Sequence, residues 1–494
     1  MGLLNLQDVS HRSSDEVMSI LSKTRIIQGG MGIGVSGWKL AREVSLQGQL
    51  GVVSGVGIYY IVERILEKGD PGGHIRRACA TFPNQEMAEC VLNRYFIPGG
   101  KEELARFKHI EPYTLNPSQE LRELTAVAMY AYIFLAKEGH SGLIGVNFLE
   151  KAQMPLLEEL YGAMLAGVDC ILMGAGIPTQ IPEILDDLSC HKEVSYRVTV
   201  EGALPEDDFR TRFNPANIIP NPVNNLSRPA FLAIISSHVL AKILLKKAPG
   251  INGFVVEGPS AGGHNAPPRR KKEDELHYPI YGDEDNADFG VMRELGLPFW
   301  LAGSYASPMA LAKATGELGA NGVQLGSIFA FSADSDFEER YKCEVRRLGY
   351  IGDLKVVHSN QYSPCGFPFK AAQLEGTLSD MNIYQERRRI CDISGLRNPY
   401  RKPNGTVGYR CSAEPAQLYT AKGGEMEDTE GRRCLCNSLL AAIGLAQTQR
   451  YPGEEPYTEP PFITSGDDLS FLQKLMEHPG DSYTARQAIE YMLS

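Results

Sequence analysis

One stretch limits what this chain can fold into more than any other. In Gly253-Phe-Val-Val-Glu-Gly-Pro-Ser-Ala-Gly-Gly-His264 an apolar run, Phe254 to Val256, breaks at Glu257-Gly258 and opens into a loop ending Gly262-Gly263-His264. An apolar run without polar alternation reads as a strand buried on both faces, as in a parallel sheet. Glycines at its end let backbone approach a ligand, and an imidazole titrates near neutrality. The same grammar returns in Leu297-Pro-Phe-Trp-Leu-Ala-Gly-Ser304 and in Ala320-Asn-Gly-Val-Gln-Leu-Gly-Ser327. Each strand there runs into Gly-Ser, whose backbone N–H groups suit a phosphate. The expectation is a phosphate-bearing cofactor on the last two segments and chemistry on the first.

Upstream, Arg25-Ile-Ile-Gln28 runs into Gly29-Gly-Met-Gly-Ile-Gly34, and Leu50-Gly-Val-Val-Ser-Gly55 also ends in glycine. A Rossmann fingerprint is not met, because no acidic residue follows a second strand at the needed distance. Further strands are read at Leu143–Asn147 and Cys170–Met173, with helices at Lys39–Gln47, Met154–Ala166, Ile181–Leu188, His238–Lys247, Phe289–Leu295 and Pro308–Leu318. Seven or eight strand-to-helix units favour an α/β fold of the closed (β/α)8 TIM-barrel type over a doubly wound sheet. Residues 58–140 carry helical patterns at Ile58–Lys68, Asn84–Arg94 and Gln119–Lys137, and read as an insertion or lid over the barrel mouth. Residues 191–230 are rich in Pro and Asn, with a strand expected at Ser195–Val200. The barrel domain is expected over 1–345, after a polar helical lead-in at 1–24.

From 346 the pattern changes to a Cys-containing, partly helical C-terminal extension, 346–494. Tyr350–Pro368 reads as loop, Ala371–Arg389 as helix, and Cys391–Arg433 as rich in Gly, Pro and polar residues. Helices are expected at Asn437–Thr448, Asp467–Glu477 and Ala485–Met492.

Composition narrows the function. The net charge of −11 over 494 residues, and the acidic residues that follow the basic run Arg269–Lys272, argue against nucleic-acid binding. No 18-residue apolar run occurs, and the N-terminal residues lack a signal-peptide core, so a soluble cytoplasmic protein without membrane contact is expected. The ten cysteines fit reduced thiols. Cys391, Cys411, Cys434 and Cys436 crowd together in sequence, as zinc or iron–sulfur ligands do. Without C-x₂-C spacing, unligated thiols are the reading preferred, and no metal is assigned.

His264 stands where a barrel strand delivers catalytic groups, and could take a proton or, as imidazolium, hold an anion. The alternative is a histidine that caps its loop. His74, after Gly72-Gly73, has the weaker case, and structure is the reading preferred there. Asn147 and Gln324, at strand ends, could hydrogen-bond a flavin ring or ribityl chain as readily as serve structure. Gly303-Ser304 and Gly326-Ser327 sit where loops after the last two strands of such barrels form phosphate sites.

The ordered set Ile26-Ile-Gln-Gly-Gly-Met31, Gly145-Val-Asn147, Met173-Gly-Ala-Gly176, Glu257-Gly-Pro-Ser-Ala-Gly-Gly-His264, Ala302-Gly303 and Val323-Gln-Leu-Gly-Ser327 resembles the nitronate monooxygenase (2-nitropropane dioxygenase) family and the related FMN-dependent enoyl-ACP reductases. The resemblance implies a TIM barrel that holds FMN. Gly30, Met31 and Asn147 would lie near the ring system. Gly262, Gly263, Gly303, Ser304, Gly326 and Ser327 would surround the phosphate and ribityl side, with Gln324 beside them, and His264 would be catalytic. Two activities are implied: oxidation of nitronates or nitroalkanes with O₂, or reduction of an enoyl thioester with NAD(P)H as donor and an acyl carrier protein as partner. The insertions, the long segment after His264 and the extension depart from the compact forms of the family.

Overall fold

The computed structural model describes residues 12–270 and 272–494. Eight parallel strands form one sheet: β1 (Ile26–Gln28), β2 (Gly51–Ser54), β3 (Ile144–Leu149), β4 (Cys170–Gly174), β5 (Ala230–Ile235), β6 (Gly253–Glu257), β7 (Phe299–Ala302) and β8 (Gly322–Leu325). Each pairs with its neighbour in sequence, and β8 pairs back onto β1. The sheet closes between β1 and β2 through Gln28 N–H to Leu50 O at 3.0 Å and Leu50 N–H to Ile26 O at 3.2 Å. The buried Gln28 side chain completes the seam by accepting from Val52 N at 2.9 Å. The fold is therefore a (β/α)8 barrel.

Strand pleating explains why these runs read as uniformly apolar. Ile27, Val52, Leu172, Leu232, Val255 and Trp300 fill the barrel interior, while the alternate residues Ile26, Val53, Ile171, Phe231, Phe254 and Leu301 face the helical layer. The lead-in contributes the helix Ser14–Leu21, started by a Ser13–Glu16 capping box, and its Val17 and Leu21 join the interior cluster. Trp300 Nε1 donates to Thr24 O at 2.9 Å, tying β7 to that segment. The remainder of the lead-in, 1–11, lies outside the described residues, as does Lys271 in the basic run.

Several expectations shift. Ala230–Ile235, read within and after a Pro-rich connection, is the fifth barrel strand. β4 and β6 pair with its two edges, and its faces are buried in the barrel interior and against the outer layer. The strand expected at 195–200 is Val194–Arg197, which forms a hairpin with Arg210–Phe213 beside the barrel. The stretch 58–140 divides. Gln119–Lys137, capped by Ser118, packs on the helices Trp38–Leu46 and Leu156–Leu165 as part of the outer ring, whereas Tyr59 and Tyr60 reach the barrel mouth.

The extension departs furthest. The expected helix 371–389 begins as the strand Phe369–Ala372, paired on one side with Val356–Ser359, inside the expected loop, and on the other with Gly263–His264. Only Met381–Glu386 of that range is helical. Asn398–Arg401 and Val407–Arg410 form a hairpin. The helix expected over 437–448 is Leu435–Ala442, and Gly444 at φ 73° follows its end. Within 467–477 only Leu472–Leu475 is helical, while Ala485–Leu493 matches its expected place. Among the described residues no helix is long and apolar enough to cross a membrane.

Candidate active site

At the C-terminal ends of the strands lies a cavity of about 240 Å³. Gly30 and Met31 after β1, Asn147 of β3, Gly262, Gly263 and His264 after β6, Gly303 and Ser304 after β7, Gln324 of β8, and Gly326 and Ser327 after it all line it. Residues far apart in sequence meet because every parallel strand delivers its C-terminal end to the same face. His74 lies elsewhere, packed on Trp38 with ring centroids 5.1 Å apart and beside Arg77.

Two side chains in this wall are incompletely satisfied. Asn147 Oδ1 and Gln324 Oε1 are buried and have no hydrogen-bond partner. A buried acceptor left without a donor costs about 1–3 kcal/mol, so such groups signal a ligand that donates. Backbone approach is equally specific. A Cβ on Gly30 would stand 2.4 Å from Asn147 Cβ, so only glycine lets the chain after β1 pass over that amide. A Cβ on Gly262 would stand 2.8 Å from Gly466 N and from Ser465 C, so the extension presses directly on the loop after β6. Ser304 holds φ 56°, a strained conformation for a non-glycine residue and typical of functional sites. Ser327 Oγ accepts from Gly466 N at 2.8 Å, which leaves its proton free to be donated. This wall could hold a phosphate-bearing cofactor whose other end donates hydrogen bonds.

His264 is fixed from the extension. Its backbone pairs with Phe369, and the Phe369 ring meets the imidazole edge-on with centroids 4.9 Å apart. Its Nε2 lies 2.7 Å from Ser363 Oγ and 3.3 Å from Cys365 Sγ. Glu257, at the end of β6, also lines the cavity; burial pushes its carboxyl up to about 7, and the nearby His264 and Lys370 pull the other way. Lys370 donates to Pro259 O at 2.5 Å and to the Asp467 carboxylate. Ser363 and Cys365 were not singled out from sequence. The signal available was a Ser-Pro-Cys-Gly turn inside a stretch read as loop.

Part of the cavity wall is apolar, formed by Ile393, Leu396, Leu435 and Leu439 of the extension with Tyr59 and Tyr60. Glu159 lines the cavity too. Burial and the adjacent Glu158 raise its carboxyl well above the usual range, and its Oε1 has no partner. Cys436 also faces the cavity. The neighbouring thiols Cys391 and Cys411 shift each other in opposite directions, the first downward and the second upward, while burial lifts Cys434 to about 12. Among the described residues no three Cys, His, Asp or Glu side chains are placed to hold a metal ion.

Fold and site together define a (β/α)8 barrel with a cavity at the C-terminal ends of its strands. No family model matches the chain, and no curated protein does. Among solved structures the chain is similar to FabK of Thermotoga maritima, at 16% identity over 85% of this chain and 97% of that one, with a TM-score of 0.41. It is also similar to the enoyl reductase domain of MlnA from the macrolactin biosynthesis cluster of Bacillus amyloliquefaciens, at 12% identity over 97% and 96%, TM-score 0.46. A third is the nitroalkane oxidase of Streptomyces ansochromogenes, at 14% identity over 87% and 98%, TM-score 0.39.

Proposed function

We propose that this chain is an FMN-dependent oxidoreductase of nitronate-oxidising type, in which His264 handles the proton and the negative charge of the substrate. The observation that carries the reading is the convergence of five strand ends on one cavity containing two orphaned amide oxygens, Asn147 Oδ1 and Gln324 Oε1. These acceptors fit the N–H and O–H donors of a flavin ring and ribityl chain. The Gly-Ser turns after β7 and β8 fit its phosphate. When bound, FMN supplies electron acceptance and its reoxidation by O₂.

The chain's own part is proton handling and orientation. With Nε2 engaged by Ser363 and Cys365, Nδ1 of His264 is the nitrogen left for the cavity. Neutral, it would take the α-proton of a nitroalkane; protonated, it would hold the charge of a nitronate. Glu257 beside it would tune that charge.

A second reading is favoured by the apolar part of the wall, formed by Ile393, Leu396, Leu435 and Leu439. It would suit the acyl chain of an enoyl thioester carried by an acyl carrier protein, with NAD(P)H as donor and His264 supplying the proton. Anaerobic mixing of FMN-loaded protein with NADPH tests both. Inertness to NADPH, with oxygen uptake on adding a nitronate, supports the first reading. Rapid flavin bleaching supports the second. Apo-protein that takes up no FMN refutes both.

A further inference from the structure

We propose that Cys365, on the C-terminal extension, is the positioning partner of His264: a thiolate–imidazolium pair that keeps the ring protonated at Nε2 and presents Nδ1–H to the cavity. The geometry is a closed triangle. Cys365 Sγ lies 3.3 Å from His264 Nε2, Ser363 Oγ lies 2.7 Å from the same nitrogen, and the two side chains are 2.9 Å apart. Cys365 N–H donates to Ser363 Oγ at 3.3 Å, so the turn orients the hydroxyl toward the pair. The turn is itself pinned, because Arg432 Nη1 donates to Ser363 O at 2.7 Å and to Asn360 O at 2.9 Å. The Phe369 edge and the pairing of His264 with Phe369 leave the imidazole little freedom to turn away.

Electrostatics agree with this placement. Burial alone would raise the Cys365 thiol, but the charge and hydrogen bond of His264, with help from Ser363, bring it down to about 7. The charged groups that act on the pair are Glu257 from β6, beside His264, and Arg432 behind the turn, beside Cys365. Proton bookkeeping is simple. The thiol proton resides on Nε2; Nδ1–H holds the charge of a nitronate, and to take the α-proton of a nitroalkane Nδ1 first gives its own proton to solvent. No bond to sulfur forms.

The inference depends on the oxidoreductase reading only for what the protonated ring does to a substrate, so its first test needs no turnover. In the holoprotein, alkylation by iodoacetamide is followed as a function of pH, with Cys365 resolved by peptide mass mapping. The expected midpoint is near pH 7, moving up by about 1.5 units or more, toward an ordinary thiol, in His264→Ala. A midpoint at or above 8.5 in the parent, or one that His264→Ala leaves in place, overturns the pair.

A second measurement guards against a misfolded variant. Cys365→Ser keeps the hydrogen bond but loses the acidity. The ring loses its negative neighbour, so the alkaline limb of kcat/KM should move to lower pH. A purely structural role would lower the amplitude and leave the limb where it was, and that result would also overturn the proposal. Failure to retain FMN would refute the oxidoreductase reading while leaving the alkylation result to stand.

Discussion

The close approach of Gly30 to Asn147 gives the sharpest test of the cavity. In Gly30→Ala the new Cβ would lie 2.4 Å from Asn147 Cβ, 3.1 Å from its Cγ and 3.2 Å from its Nδ2. That is roughly 1 Å inside ordinary carbon–carbon contact, so the amide must swing away or β1 must shift. Overpacking of this kind costs about 1–3 kcal/mol. Gly30 is not in the left-handed region, so alanine also stiffens the unfolded chain and returns about 0.4–1 kcal/mol. The net destabilisation is then about 1–2 kcal/mol, a fall in Tm of a few degrees. The larger effect should be on the ligand. Moving Asn147 removes one hydrogen bond worth about 1 kcal/mol, which is about fivefold in Kd, and the methyl group adds to it.

The assay is fluorescence quenching of FMN titrated with apo-protein, with thermal melts alongside. Gly29→Ala is the control, since its Cβ would sit 3.4 Å from Leu325 O and 3.5 Å from Gln324 Cγ, ordinary contacts. FMN affinity within twofold of the parent in Gly30→Ala would refute the assignment of Asn147 to the cofactor.

Three further outcomes are expected. His264→Ala should keep its flavin, read from absorbance, while losing about 10²-fold or more of turnover. Arg122→Met removes the partner of Glu158, which is 0% exposed, and should cost about 3 kcal/mol at pH 8. Burial already holds that carboxyl up at about 7, so the loss in urea midpoint should shrink as pH falls and Glu158 protonates. Glu257 likewise has its folded pKa raised to about 7, above its unfolded value of about 4.3. The parent should therefore lose stability relative to Glu257→Gln as pH rises between those values, and the difference should level off above 7. Equal midpoint differences at pH 5 and pH 8 would contradict that shift.

How much of this was readable beforehand follows from the range of the forces involved. Phe254–Val256, Phe299–Ala302 and Gly322–Leu325 announced themselves because a strand buried on both faces must be apolar at every position, and their glycine ends because backbone must come close to something. That local logic was sufficient for seven of the eight barrel strands and for the residues gathered at the barrel mouth. Ala230–Ile235 was apolar as well, but stood behind a Pro-rich connection with no glycine turn to mark its end.

Phe369–Ala372 was beyond reach, because its strand conformation comes from pairing with Gly263–His264, far away in sequence, and with Val356–Ser359 across the stretch read as loop. The Ser363–Cys365 turn gained meaning in the same way. Nothing in a Ser-Pro-Cys-Gly sequence says that it faces an imidazole from another part of the chain. The order of apolar runs and glycines along the chain determined the barrel and which residues gather at its mouth. Tertiary packing alone decided which nitrogen of His264 is engaged, what completes the cavity, and how the extension reaches both, because those contacts join segments that share no local pattern.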